Sequence, residues 1–164
     1  MDASSKAQVR AVSATSLWYP VAGVRLGVAA AGIKYSGRTD LLVIELAEGG
    51  SCAAVFTRNA FCAAPVLVAR EHLNQGPPRY LLVNSGNANA GTGEAGLEAA
   101  RTCCSGLAER GGCEPSQVLP FSTGVIGENL PVERLLAGLQ PALQALDEEA
   151  WPQAAAAIMT TDTR

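Results

Sequence analysis

At 164 residues the chain has the length of one domain with a core of its own. Its 48% hydrophobic and 16% charged residues exclude a disordered polymer, and a net charge of −3 leaves no basic footprint for nucleic acid. The longest apolar stretch is too short and too interrupted by glycine to cross a bilayer, and Met1 to Lys6 lacks the apolar core of a signal peptide. The expectation is a soluble cytoplasmic protein. The low charge has two readings, a surface covered by a partner or a plain excess of alanine.

The elements follow in chain order. Residues 1–16 are polar and read as a loose start. From Val21 to Ile33 the glycines break any helix, so short extended pieces with turns are expected. Leu41 to Leu46 is apolar and β-branched, which predicts a strand. Glu48-Gly49-Gly50-Ser51 reads as a turn, and Cys52 to Thr57 as the second strand of a hairpin. After Pro65, Val66 to Ala69 is read as a third strand. Asn74 to Pro78 is a loop by composition, and Tyr80 to Val83 a buried strand. Glu94 to Arg110 carries Leu97, Ala100, Cys104 and Leu107 at helical spacing, closed by Gly111-Gly112. Gln117 to Phe121 is a short strand. Pro131 opens a helix whose stripe is Leu135, Leu136 and Leu139. Asp147 caps a last helix expected to bury Trp151, Ala155 and Ile158. Strands first, then alternating strands and helices, predict one α/β domain over 1–164: a mixed sheet with flanking helices.

Two small-residue loops stand out. Asn84-Ser85-Gly86-Asn87-Ala88-Asn89-Ala90-Gly91-Thr92-Gly93 lies between a strand and a helix start, a place where backbone N–H groups can approach an anion. Gly91, Gly93 and Gly96 match the letters of a dinucleotide fingerprint. Three things speak against that reading: Glu94 would lie beside the phosphates, the strand ends well before Gly91, and no βαβ run with a distal acid follows. The second loop is Ser122-Thr123-Gly124-Val125-Ile126-Gly127, read as a turn just after a strand. There, Gly124 would admit a reacting carbonyl to a backbone N–H and Thr123 would add a hydroxyl. Two such donors suffice for an oxyanion hole, worth ~3 kcal/mol each. A simple turn before the Pro131 helix is the alternative.

Other chemistry is poorly supported. The five cysteines, Cys52, Cys62, Cys103, Cys104 and Cys113, include no CxxC pair, and the one histidine, His72, falls on a segment read as exposed. No metal site is expected, and the cysteines read as packing thiols. No Gly-x-Ser-x-Gly elbow is present. A nucleophile for acyl chemistry would therefore come from elsewhere; an N-terminal threonine, with its own amine as base, needs no histidine. The polar end, Thr160-Thr161-Asp162-Thr163-Arg164, is dense in hydroxyls and reads either as site chemistry or as ordinary turn chemistry.

Six segments then occur together: Gly32-Ile33-Lys34, Ala54-Val55-Phe56-Thr57-Arg58-Asn59, Ala64-Pro65-Val66, Asn84 to Ala90, Ser122 to Gly127, and Ala157-Ile158-Met159-Thr160-Thr161-Asp162-Thr163. In this order they resemble the bifunctional ornithine acetyltransferase/N-acetylglutamate synthase family of arginine biosynthesis, from about residue 20 to the last. The resemblance implies a precursor that cuts itself into α and β chains. The new N-terminal threonine of the β chain takes acetyl from N-acetylornithine or acetyl-CoA and passes it to glutamate. It implies Thr123 and Gly124 as the oxyanion hole and Thr160 as a substrate-binding residue. It further implies an α2β2 heterotetramer with no metal or prosthetic group, acetyl-CoA being a substrate. In the family the α chain goes on to a Lys-Gly segment and a Met-Ala-Thr-Met-like cleavage point, whereas this sequence ends at Arg164. The expectation is most of an α chain, its sheet incomplete without the β chain and inactive by itself. Two other readings stay open: a non-catalytic module that binds a small metabolite, and a related self-processing aminopeptidase.

Overall fold

The computed structural model describes residues 18–160. The expected loose start and the residues after Thr160 lie outside the described residues. Four strands form one sheet in the order β1 (Val24–Ala29), β2 (Leu41–Leu46), β3 (Tyr80–Asn87), β4 (Val118–Val125). β1, β2 and β3 are antiparallel neighbours, and β3 and β4 are parallel. A parallel pair needs a crossover, which helix α2 (Gly93–Gly111) supplies. With α1 (Ala64–Leu73), α3 (Val132–Gln144) and α4 (Trp151–Ile158), this is the α/β architecture with a mixed sheet and flanking helices that the sequence predicts.

Strand alternation sorts the core into two layers. Leu41 and Val43 of β2, Tyr80 and Leu82 of β3 and Val118 of β4 face α1, α2 and α3, where Val68, Cys103, Cys104, Leu107, Leu135 and Leu139 meet them. Leu26 and Leu42 face the other side, against Ala150, Ala154 and Ala157 of α4 and its approach. The larger layer thus carries three helices and the smaller one a single short helix. Helix α2 ends where expected, at Gly112 in the left-handed region (φ 69°). The outer edge of β1 is partly closed by a backbone bridge between Leu26 and Asp147. β4 is the other edge strand.

Four readings of the sequence are corrected. Cys52 to Thr57 is not a strand: β2 already has β1 on one edge and β3 on the other, so no hairpin partner position is left. The segment is irregular, with Val55 fully exposed, and leans on α1 through Arg70, which donates to the Thr57 carbonyl oxygen at 3.2 Å and covers the Phe56 ring. Val66 to Ala69 is helical, inside α1. A four-residue apolar run is ambiguous between helix and strand, and Pro65 marks a helix's first turn here. Strand β3 runs on to Asn87, so the first half of the Asn-rich segment is sheet and not loop. Finally, α4 is capped at Ala150 and buries Ala154 and Ala157, while Ala155 and Ile158 face outward. Asp147 is occupied elsewhere, its backbone bonded to Leu26 and its carboxylate accepting from Glu149 N–H at 2.8 Å.

Leu139 is fully buried between α3 and the sheet. Leu139→Ala is expected to cost ~2–5 kcal/mol by urea unfolding, as cavity-forming core substitutions do. A loss below about 1 kcal/mol would contradict this packing.

Candidate active site

Thr123, Gly124 and Thr160 line one cavity of about 350 Å³, with Lys34, Tyr35, Arg38, Asp40, Ser85, Gly86, Val125 and Met159. The two positions singled out on β4 and at the end of α4 therefore share a cleft despite their separation in sequence. The cleft opens where β3 and β4 end together. Ser85 pairs with Thr123 and Gly86 with Gly124 in the parallel register, which then shifts at Asn87.

Ser122-Thr123-Gly124 is the tail of β4, and not a turn after it. Alternation sends Ser122 and Thr123 to opposite faces. Ser122 Oγ goes to the core side and donates to Asn84 Oδ1 at 2.6 Å. Thr123 lies on the cleft side, opposite Ser85. Gly124 has φ 134°, and a Cβ there would stand 2.3 Å from the carbonyl carbon of Gly86. Gly86 has φ 93°, and a Cβ there would stand 2.8 Å from Lys34 Cβ. Only glycine fits at either position, and the backbones come closer than side chains would allow.

The Asn-rich segment is scaffold beside the cleft. Asn84 Nδ2 donates to the Asn87 carbonyl oxygen at 2.9 Å. Asn87 Nδ2 reaches the carbonyl oxygens of Glu128 and Asn129 at 3.1 and 3.2 Å, and its Oδ1 accepts from Asn89 N–H at 2.7 Å. Asn89, left-handed at φ 45°, donates to the Gly96 carbonyl oxygen and accepts from Thr92 Oγ1. All three asparagines are buried, and their amides serve as internal hydrogen-bond partners. The asparagine amides form a bracket that ties β3 to the loop after β4.

Four further contributors are not singled out as site residues in the sequence. Asp40 is 3% exposed, and its carboxylate accepts from Ala31 N–H at 2.7 Å, Gly32 N–H at 3.3 Å and Ile33 N–H at 2.5 Å. This bundle shapes the β1–β2 connection that presents Lys34 and Arg38. Lys34 Nζ bonds both carboxylate oxygens of Glu128, at 2.9 and 2.7 Å, joining that connection to the loop after β4. Ser85 Oγ donates to the Ala157 carbonyl oxygen at 2.7 Å. The Arg38 guanidinium donates to the Met159 carbonyl oxygen. Lys34 and Ser85 lie in segments that the sequence marks, Gly32-Ile33-Lys34 and Asn84 to Ala90, without a role of their own; Arg38 and Asp40 lie in none.

His72 is buried, contrary to expectation, because it sits on the inner face of α1; its Nδ1 donates to the Val118 carbonyl oxygen at 2.8 Å. Burial pushes the Cys103 thiol up to about 12, and burial together with the neighbouring Cys103 raises Cys104 further. These two are packing thiols, as the sequence suggests. Among the described residues no group of three or more His, Cys, Asp or Glu is placed to hold a metal ion. No helix among them is long and apolar enough to cross a membrane.

The ArgJ family model matches residues 25–164. The chain belongs to the ArgJ family. Among its relatives is the arginine biosynthesis bifunctional protein ArgJ of Methylococcus capsulatus, 63% identical over 145 residues, which are 88% of this chain and 35% of that protein. The ArgJ of Pseudomonas syringae pv. tomato is 58% identical over the same length, with 36% of that protein covered. The chain thus spans about a third of the length of the curated relatives it matches. In three dimensions it resembles ornithine acetyltransferase from Mycobacterium tuberculosis, solved in complex with ornithine: TM-score 0.82, 38% identity, 88% of this chain and 79% of that one. It also resembles ArgJ from Bacillus halodurans, with TM-score 0.73, 35% identity, 87% of this chain and 75% of that one.

Two outcomes are expected from this geometry. Asp40→Ala leaves three backbone donors without their acceptor and costs ~3 kcal/mol on unfolding; amide exchange should quicken over residues 31–33, and unchanged exchange there would contradict the bundle. In native protein, Ellman's reagent at neutral pH should modify exposed Cys52 readily, with Cys103 and Cys104 untouched until denaturant is added.

Proposed function

We propose that this chain is the α-chain part of a glutamate N-acetyltransferase. The enzyme moves acetyl from N2-acetylornithine, or from acetyl-CoA, to L-glutamate in arginine biosynthesis in the cytoplasm. The observation that carries the reading is the shared cavity of Thr123, Gly124 and Thr160 in a chain of the ArgJ family. In this reading the attacking hydroxyl belongs to an N-terminal threonine of a separate β chain, and the assembly is an α2β2 heterotetramer.

The steps follow from the donor set. The threonine hydroxyl adds to the acetyl carbonyl, its proton passing to the threonine's own amine. Negative charge gathers on the carbonyl oxygen, where the Thr123 hydroxyl and the Gly124 N–H donate to it. Collapse breaks the amide bond as the threonine's ammonium returns its proton to the leaving nitrogen, releasing ornithine and leaving an acetyl ester on the threonine. The amine of glutamate then adds to that ester and gives a proton to the threonine's amine. The same two donors hold the second oxyanion, and the ester C–O bond breaks with that proton passing to the threonine oxygen, so N-acetylglutamate departs. Thr160 binds the substrate. The reaction requires no metal and no prosthetic group, and both half-reactions use one cradle. That economy matches a cleft built from strand ends with no imidazole in its lining.

Two measurements test the proposal. The product of the complete coding sequence should give two masses, the second with threonine at its new N-terminus. In that assembled protein Thr123→Ala should lower turnover ~100-fold or more while the acetyl donor's KM changes little. A single uncut mass, or an unchanged turnover, would remove the corresponding part of the mechanism.

A further inference from the structure

Thr160 follows a helix end that does not hold itself. Helix α4 stops at Ile158, and Met159 is already extended at φ −66° and ψ 134°. The last carbonyls of a helix have no intrahelical donors and need partners from elsewhere. Here two side chains from distant parts of the chain provide them. Ser85 on β3 takes the Ala157 carbonyl oxygen, and Arg38 from the β1–β2 connection takes that of Met159. The second bond matters more for the cleft, because the Met159 carbonyl belongs to the same planar peptide unit as the Thr160 N–H. Fixing that oxygen fixes the plane from which Thr160 departs. The guanidinium itself has a firm base: two residues further on, the Asp40 carboxylate ties down the turn at 31–33.

We propose that Arg38 is a positioning residue, a latch that holds the Met159–Thr160 peptide in the cleft so that Thr160 meets the substrate. This rests on the acetyl-transfer reading of the cavity and extends it to a residue outside the oxyanion cradle. A guanidinium suits such a latch because it is a planar group whose donors have fixed directions.

The test uses the complete assembled protein with Arg38→Ala, Thr160→Ala and the double variant. Arg38→Ala should raise the KM for N-acetylornithine about tenfold, near 1.4 kcal/mol, with kcat within about threefold. The double variant should be no worse than Thr160→Ala by more than about twofold, because both changes remove one function. Amide exchange in the peptide covering 157–160 should quicken in Arg38→Ala without substrate. Multiplying losses in the double variant, or unchanged exchange at 157–160, would overturn the latch. If Arg38→Ala does not assemble, Arg38→Gln, which keeps an N–H donor on a shorter neutral chain, enters the same cycle with the same criteria. Should the unmodified protein transfer no acetyl group, the acetyl-transfer reading falls, and the exchange measurement still decides whether Arg38 holds the tail.

Discussion

The cleft exists because two strands run side by side to Gly86 and Gly124 and leave no room there for a side chain. A methyl group at Gly124 would sit inside the β3 backbone, and one at Gly86 would press on Lys34. Both glycines take φ values that L side chains rarely adopt. Everything else at the site is arranged around this contact. The shift in register at Asn87 follows it, Ser85 and Thr123 face each other just before it, and the β1–β2 connection closes over it through Lys34.

Such a backbone contact would be floppy without support, and the support is polar. Asn84, Asn87 and Asn89 use their amides to bind one another's backbones, the loop after β4 and the first turn of α2. Buried amides are costly when unpaired and nearly neutral when fully paired, so the net stabilisation is small while the geometry becomes well defined. The apolar layer of α1, α2 and α3 supplies the cohesion. The asparagine bracket supplies the placement.

Legibility in the sequence tracks the range of the forces involved. β2, α2 and α3 are readable because local periodicity and terminal residues, such as Gly112 and Pro131, decide them. Cys52 to Thr57 reads falsely as a strand because its fate depends on whether both edges of β2 are already taken, which is a question of topology. Val66 to Ala69 misleads because four apolar residues fit either period, and the neighbouring proline can open a helix as well as precede a strand. Positions 123, 124 and 160 come to notice through motif and resemblance. Asp40 and Arg38 do not, since a carboxylate or a guanidinium in isolation says nothing of its partner, and Ser85, though inside a marked segment, is given no role there because its partner at Ala157 is far along the chain.

The two edges of the sheet differ. At β1 the bridge from Leu26 to Asp147 blunts the rim. At β4 no further strand is paired among the described residues, and Phe121, Val125 and Ile126 are exposed along it and just beyond. A rim of that kind is sticky: an edge strand beside bare aromatic and branched surface recruits any available extended chain, including another copy. At high protein concentration, self-association is thus expected to start from this side.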